Sequence, residues 1–397
     1  MTDLVIRNVR PLGKAATDIA ISNGRITAIA PGLPASGAAE EDGGGALLLP
    51  GLIEAHTHLD KTLLGMDWVE NRVASSIRSK IDNEREMKGV LGLDPALQSA
   101  RQVVMSIARG TTAIRSHVDI DTTYGLAGFE GVAATRDRYA DVMDLQIVAF
   151  PQSGMMIRKG TIELMDEALR QGADVVGGLD PCAIDFDPKG HLDVVFDLAV
   201  KHAKPIDIHL HEAGDLGVFT FGMILERTRA HGLAGKVTVS HAFALGMNDY
   251  LRIGHLLDDI AEAGVMLMST GPAGVPVPPL IRGLDAGIAF CSGTDGMRDL
   301  WNPYGNADML QRAQILADRN NLSRDVEIER ALDVCTFGGA KVMDLADYGL
   351  EIGNFADLVL VEGRTLTEAV VTLPLRKLVV KRGRVVARDG EALVEAA

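Results

Sequence analysis

Between about residues 50 and 345, short apolar runs alternate along the chain with longer amphipathic stretches. This alternation is typical of repeated βα units that build a parallel sheet. Eight units fit a (β/α)8 barrel of roughly 250 residues, although the count alone also fits a doubly wound sheet. The amphipathic stretches with the clearest helical spacing are Leu93–Ala108, Ile162–Gln171 and His191–His202. The eight apolar runs are Leu47–His58, Thr112–Val118, Gln146–Pro151, Val175–Leu179, Ile206–His209, Val237–His241, Val265–Ser269 and Ile288–Gly293.

The two ends of the chain share a different pattern, in which short alternating runs are interrupted by glycine. Residues 1–49 contain runs around Leu4 and Ile19, and residues 346–397 contain runs that begin at Asp357, Lys377 and Arg384. Alternation with period two predicts short antiparallel strands. Because the two ends are alike, we expect them to pair in one small β-structure beside the domain of residues 50–345.

Histidines and acids lie where the apolar runs of the central region end. This position favours the barrel, because barrel enzymes build their active sites at the carboxyl ends of the strands. His56 and His58 close the first run, and side chains two residues apart in a strand point to the same side. Two neutral imidazoles that face one point form half of a metal site.

Three further residues are candidates for the same site. His209 ends the fifth run, His241 ends the sixth, and Asp295 follows the eighth. Each one alone is more often a satisfied core or loop residue, but together they would converge above a barrel. His211 shares a face with His209 and is the alternative ligand, although His209 ends the apolar run directly. Asp295 has two predicted roles, as a metal ligand and as a base for water.

Glu212 lies three residues after His209, which predicts a carboxylate outside the metal ligands but near a reacting water. Such a carboxylate can move a proton from water to the leaving nitrogen. The alternative is a solvated loop glutamate. The fourth run, Val175–Leu179, contains no lysine that could be carbamylated to bridge two metals, so we expect one divalent metal ion.

The charge and the cysteines narrow the class of partner. A formal net charge of −15 would repel nucleic acid, so a small neutral or cationic ligand is the expected partner. Neither a membrane-spanning run nor a signal peptide is indicated, and we expect a cytoplasmic protein. Cys182, Cys291 and Cys335 lack CxxC spacing, which predicts free thiols rather than disulfides or a zinc site.

Seven segments together resemble the amidohydrolase superfamily and, within it, the cytosine deaminase-like branch. Within the segment Asp144–Gln152, the residues Leu145–Gln152 are, with the order of the motifs, the most specific part of this resemblance. The other segments are Pro50–Asp60, Arg115–Asp119, Gly172–Gly177, Ile206–Glu212, Val237–His241 and Trp301–Gly305.

The resemblance implies a (β/α)8 barrel with a flanking β-sandwich made from both termini. It also implies that one divalent metal, zinc or iron with manganese as a third candidate, binds to His56, His58, His209 and Asp295. It further implies that His241 hydrogen-bonds the attacking water or the substrate and that Glu212 shuttles protons. For the substrate, it implies that Gln152 contacts a heterocycle and that Trp301 lines the pocket.

Three departures bear on the substrate. Gly296 occupies the position where cytosine deaminases of this type carry a second acid, and Lys61 stands where they have a small hydroxyl residue. The segment Asp180–Asp185 also differs from theirs. These features look closer to relatives that hydrolyse N-substituted aminotriazines. Lys61 is either a contact to a ring carbonyl or anionic ring, or a surface lysine.

The sequence therefore predicts a metal-dependent hydrolase that removes ammonia or an amine from a small heterocycle, either a cytosine- or isocytosine-like pyrimidine or an aminotriazine. One alternative is a cyclic amide hydrolase of the dihydroorotase or hydantoinase kind, which opens a ring and releases no ammonia. The other is a barrel that binds a metal or ligand without catalysis. Assembly into a homo-oligomer is compatible with each of them.

Overall fold

A computed structural model describes residues 2–34, 37–73, 76–247 and 249–396 of the chain. These residues form seventeen strands and twelve α-helices. The strands are β1 (Leu4–Pro11), β2 (Thr17–Ser22), β3 (Arg25–Ala30), β4 (Ala39–Asp42), β5 (Leu47–Pro50), β6 (Leu52–Thr57), β7 (Thr111–Asp119), β8 (Asp144–Phe150), β9 (Val175–Leu179), β10 (Ile206–His209), β11 (Val237–Ser240), β12 (Met266–Met268), β13 (Phe290–Cys291), β14 (Leu358–Val361), β15 (Arg376–Lys381), β16 (Arg384–Arg388) and β17 (Glu391–Ala392).

The helices follow the strands of the central region and continue after it. They are α1 (Ile77–Leu91), α2 (Pro95–Ala108), α3 (Ala127–Arg138), α4 (Thr161–Arg170), α5 (Pro188–His202), α6 (Gly214–Ala230), α7 (Tyr250–Glu262), α8 (Leu280–Asp285), α9 (Met309–Arg319), α10 (Asp325–Asp333), α11 (Gly339–Val342) and α12 (Leu366–Thr372). The three helices expected from apolar spacing correspond to α2, α4 and α5. Asp94 and Asp187 accept hydrogen bonds from the first turns of α2 and α5, and each precedes a proline at the first helical position.

Strands β6 to β13 form one parallel sheet in sequence order. The sheet closes because the chain just after β13 bonds back to β6: Asp295 N donates to His56 O at 2.9 Å, and Ala55 N donates to Ser292 O at 3.0 Å. The expected (β/α)8 barrel is confirmed. The first apolar run divides between two sheets, since Leu47–Pro50 is β5 of the other sheet and the barrel begins at Leu52. Both pieces are fully buried, so the hydropathy pattern shows no break between them.

The terminal segments pair in a second sheet, in the order β17-β16-β15-β14-β5-β1-β2-β3, with β4 beside β1. Most pairs are antiparallel, while β1 runs parallel to β4 and β5. Side chains from both ends of the chain, such as Ile6, Ile21, Leu358 and Val380, pack in one separate apolar core. The expected pairing of the termini is confirmed, while the division of the chain at residues 49/50 and 345/346 stays a prediction.

Two further expectations concern the chain as a whole. Cys182, Cys291 and Cys335 are free thiols in the structure, and the last two are buried. Among the described helices, not one has both the length and the apolar character needed to cross a membrane.

Candidate active site

Four of the predicted residues converge at the carboxyl ends of the barrel strands. His56 lies in β6, His209 ends β10, His241 follows β11 and Asp295 follows β13, and one nitrogen or oxygen of each lies within 4.8 Å of those of the others. His58 joins this group through Asp295, because its Nε2 lies 3.2 Å from Asp295 Oδ1. Strands far apart in sequence therefore bring the five residues to one point. We call these five residues the imidazole cluster.

Five ring nitrogens of this cluster are buried without a hydrogen-bond partner among the described residues. His56 Nε2, His58 Nδ1, His241 Nε2 and both ring nitrogens of His209 make no hydrogen bond to any described residue. A buried polar atom without a partner costs free energy, so such atoms normally have a ligand. Several imidazole nitrogens and a carboxylate around one point form a donor set that suits zinc or iron. The residues present fit a divalent metal ion.

The charge states of the cluster agree with this donor set. Burial, followed by the charge of neighbouring histidines, holds the pKa values of His56 and His209 well below the ordinary value, which leaves neutral rings with free lone pairs. Burial would raise the pKa of Asp295, but the hydrogen bond from His58 and the charges of His241 and His56 outweigh it and hold that pKa well below its usual range. Asp295 is therefore an ionised oxygen donor.

The backbone at two of these positions is in the left-handed region. His241 has a φ of 70° and Asp295 a φ of 62°, values that are uncommon for residues other than glycine. His241 lies directly after β11 and Asp295 four residues after the end of β13, where the chain turns at the barrel mouth. Such conformations cluster at functional sites because the surrounding structure holds them there.

Buried side chains that surround His56 fix its position in the cluster. Ser240 Oγ lies 3.2 Å from His56 Nδ1 and donates to Asp207 at 2.6 Å, which fixes the orientation of the His56 ring. His117 packs with its ring centroid 4.0 Å from that of His56. Arg115 binds Asp207 at 3.1 Å, so this carboxylate, which also lies close to His56 and His117, already has a cationic partner.

Two groups that could carry a proton lie beside His209. His211 Nδ1 lies 2.8 Å from Asp180 Oδ2, and its ring stacks on His241 with centroids 4.2 Å apart. Burial lowers the pKa of His211, but the neighbouring Asp180 outweighs it and raises that pKa above the ordinary value. Glu212 is buried, and its carboxylate accepts hydrogen bonds from the N–H groups of Cys182 at 2.7 Å and Ala183 at 2.9 Å and from the Thr220 hydroxyl.

Glu212 is close to His209 in sequence, but both of its carboxylate oxygens accept hydrogen bonds from other residues. Its predicted role as the proton shuttle stays a prediction. His211, which the sequence pattern offered only as an alternative ligand, is held by Asp180 and stacks on His241, so it is a second candidate for proton transfer.

The three predicted substrate contacts form one connected group. Lys61 Nζ donates to Gln152 Oε1 at 2.8 Å and lies 5.4 Å from the ring centroid of Trp301. Lys61 is 3 % exposed, so the alternative of a surface lysine does not hold. Asp119, at 3.3 Å from Lys61 Nζ, also lies in a group with His58 and Asp60 whose ligand atoms are all within 4.8 Å of one another. The lysine therefore borders the imidazole cluster.

We call Lys61, Gln152 and Trp301, with Glu84 and Asp119, the lysine wall. Burial disfavours the ammonium of Lys61, but the charges of Asp119 and Glu84 outweigh this and raise its pKa above the usual value. Glu84 Oε2 also accepts the indole N–H of Trp301 at 2.7 Å. The sequence interpretation missed Glu84, because in α1 it belongs to a stripe of charged residues at helical spacing that is typical of a solvated face.

Comparison with known proteins identifies the class of this protein. The family model described as "Amidohydrolase family" matches residues 39–387. The chain therefore belongs to the amidohydrolase family. The predicted reaction class, hydrolysis of a C–N bond by a metal-dependent amidohydrolase, is confirmed, as are the metal dependence of the family and the resemblance stated from the motifs.

Three individual proteins are similar over nearly the whole chain. N-isopropylammelide isopropyl amidohydrolase of Pseudomonas sp. (strain ADP) is 30% identical, covering 98% of each chain. The crystal structure of N-isopropylammelide isopropylaminohydrolase from Burkholderia multivorans ATCC 17616 shares 46% identity with a TM-score of 0.96, covering 99% of this chain and 100% of that one. The 5-methylcytosine deaminase from Klebsiella pneumoniae, solved with 5-fluorocytosine, shares 27% identity with a TM-score of 0.88, covering 98% of each chain.

Proposed function

We propose that this protein hydrolyses an N-substituted aminotriazine that carries ring carbonyls, of the type of N-isopropylammelide, and releases the amine. The observation that carries the proposal is Lys61, buried beside the imidazole cluster and bonded to Gln152. Because Gln152 Oε1 accepts from Lys61, its amide nitrogen is left to donate to a substrate. A wall of donors suits a ring whose edge consists of carbonyl oxygens and ring nitrogens.

The room next to Asp295 also favours an aminotriazine over cytosine. A Cβ added at Gly296 would lie 2.1 Å from Asp299 Oδ2, so the acid that cytosine deaminases of this type carry here would fit only if the Asp299 side chain moved. The carboxylate of Asp299 fills that room instead. The similarity to the two N-isopropylammelide enzymes over nearly the full chain points the same way.

His56, His58, His209 and Asp295 are the residues we assign to one divalent metal, zinc or iron, with manganese as a third candidate. When bound, the metal supplies a positive charge that lowers the pKa of a water molecule at this point. His241 Nε2 is buried without a partner among the described residues and would orient that water, while the Asp295 carboxylate would accept its proton.

The reaction replaces one bond to the ring with another. The oxygen of water bonds to the ring carbon that bears the amino group, the proton that Asp295 takes from this water is passed on to the leaving nitrogen, and the C–N bond breaks. Glu212 is the predicted donor of that proton, and His211, paired with Asp180, is the second candidate. Gln152, Lys61 and Trp301 hold the ring against the lysine wall.

The test is a panel of substrates on metal-replete protein, with ammonia and amine release both measured. N-isopropylammelide is the expected best substrate, with isopropylamine and cyanuric acid as products. Cytosine and isocytosine test the pyrimidine alternative, and dihydroorotate and hydantoin test ring opening without ammonia. Turnover of a cyclic amide alone would assign the protein to the second enzyme class. Metal binding without any turnover would support the non-catalytic barrel.

A further inference from the structure

Helix α1 presents one charged face to the barrel mouth. Lys80, Glu84 and Lys88 are spaced four residues apart and therefore lie along one side of the helix. A charged stripe of this spacing is usually solvated, but Glu84 is only 2% exposed. This face includes Glu84 of the lysine wall, and its three residues contact the wall residues Lys61, Trp301 and Asp119.

Glu84 joins two parts of the chain that are distant in sequence. Its Oε2 accepts the indole Nε1–H of Trp301 at 2.7 Å and lies 3.4 Å from Lys61 Nζ. Lys80 Nζ donates to the backbone carbonyl of Trp301 at 3.2 Å. Helix α1 thus holds Trp301 at both its backbone and its indole nitrogen, while the same carboxylate holds the ammonium that faces Gln152.

Glu84 shares the charge of Lys61 with a second carboxylate. Asp119 already lies 3.3 Å from that ammonium, and Lys88 binds Asp119 as well. The second oxygen of Glu84, Oε1, is buried without a hydrogen-bond partner among the described residues, although Lys88 Nζ lies 3.7 Å away. A buried carboxylate that is only partly satisfied costs stability. What Glu84 provides in this structure is the link between Lys61 and Trp301.

We propose that Glu84 is a positioning residue for substrate recognition, which aligns the indole of Trp301 and the ammonium of Lys61 as one binding surface for a carbonyl-bearing heterocycle. The class of substrate rests on the proposed function. Glu84 has no contact with the imidazole cluster in the structure, so its effect falls on the affinity for the ring rather than on the chemical step.

The central variant is Glu84→Gln, which keeps the shape and one acceptor but removes the charge. With N-isopropylammelide as substrate, KM is expected to rise by about tenfold while kcat changes by less than about threefold. The reason is that weaker bonds to Trp301 and Lys61 leave both misaligned for the ring in ground state and transition state alike. The matched control is Glu86→Gln, the same substitution two residues along α1 at an exposed position, which is expected to leave both constants unchanged.

A binding measurement without turnover completes the test. Cyanuric acid has the same ring with no amino group to remove, and Trp301 reports its binding by fluorescence once the other tryptophan, the 79%-exposed Trp68, is replaced in a Trp68→Phe background. Glu84→Gln is expected to raise the Kd of cyanuric acid about tenfold and to change the emission of Trp301 in the free protein. Metal content, measured in parallel, is expected to stay constant.

A double-mutant cycle tests whether Glu84→Gln changes KM through the indole of Trp301. In a Trp301→Phe background, which lacks the indole N–H, Glu84→Gln is expected to change KM clearly less than it does in the parent. Equal effects in both backgrounds would overturn the positioning role. If Glu84→Gln does not fold, Trp301→Phe decides alone, because an unchanged KM in that variant would also overturn the proposal.

The two proposals fail separately. If the parent hydrolyses N-isopropylammelide and Glu84→Gln matches Glu86→Gln in KM and Kd, the positioning role is wrong and the function stands. If the parent binds cyanuric acid but releases no amine from any triazine, the function is wrong, and the Kd values still decide the role of Glu84. A parent that binds neither molecule refutes both.

Discussion

The two sides of the barrel mouth satisfy their polar atoms in opposite ways. In the imidazole cluster, buried nitrogens of His56, His58, His209 and His241 have no partner among the described residues. In the lysine wall, the ammonium of Lys61 has partners in Gln152, Asp119 and Glu84. The polar atoms of the imidazole cluster gain partners only when a cation binds, whereas those of the lysine wall are nearly all paired with other residues of the chain.

This difference separates two tasks of one site. Unpaired nitrogen and oxygen ligand atoms that face one point create affinity for a metal and for the water that the metal activates. Groups that bind one another are held in a single arrangement before the substrate arrives, which reduces the ordering that binding requires. We therefore expect changes in the cluster to abolish the chemistry and changes in the wall to alter affinity and selectivity.

The largest effect is expected from removing a ligand of the cluster. His209→Ala is predicted to lower kcat/KM by at least about 1,000-fold, since several kcal/mol of transition-state stabilisation depend on the metal. Its metal content, measured by mass spectrometry, should fall with its activity. The control is His231→Ala at an exposed position. Full activity of the parent after rigorous chelation would contradict the assignment.

The next effect distinguishes the two proton carriers. Glu212→Gln is predicted to lower kcat by about 100-fold or more at unchanged metal content, as expected for loss of a general acid. His211→Asn is predicted to lower kcat by less than about tenfold. Glu226→Gln, at an exposed site on α6, is the control. The reverse order of effects would assign proton transfer to His211 and leave Glu212 as the acceptor for the N–H groups of Cys182 and Ala183.

A change in the wall is expected to have a smaller and different effect. Lys61→Met is predicted to lower kcat/KM for N-isopropylammelide by about 10- to 100-fold, mainly through KM, because a buried charged donor is lost. Metal content should not change. Lys159→Met, at an exposed position, provides the comparison. A loss of metal in Lys61→Met would show that the two sides of the mouth are not separate.

The smallest effect concerns the pH dependence of stability. Burial raises the pKa of Asp299 to about 6, against the opposing charge of Lys61. The folded protein therefore keeps a proton that the unfolded chain loses, so the free energy of unfolding should fall as pH rises from about 4 to about 6.

Asp299→Asn removes this titration and is predicted to make that fall shallower, by up to one proton in the slope, in urea unfolding measured at several pH values. Asp318→Asn, exposed on α9, should keep the slope of the parent. An identical slope in the parent and in Asp299→Asn would show that Asp299 is already ionised across this range.

The apolar pattern predicted the barrel well because each strand is a local feature. Runs such as Val175–Leu179 and Ile206–His209 are buried along their whole length, and the observed strands have those bounds. The pattern failed only at Leu47–Leu52, where one apolar stretch serves two sheets. The junction there is defined by contacts with β14 and β7, which are distant in sequence.

The sequence by itself determined where the candidate ligands lie, because parallel strands end at one edge and side chains two apart share a face. It did not determine what the charged residues of the wall do. In the sequence, the pattern of Lys61 after a strand and the spacing of Lys80, Glu84 and Lys88 are the same whether these side chains are solvated or buried. Only the tertiary structure, in which α1 packs against Lys61 and Trp301, buries these charged side chains wholly or in part. The physical reason is that burial of a charge depends on partners that lie far away along the chain.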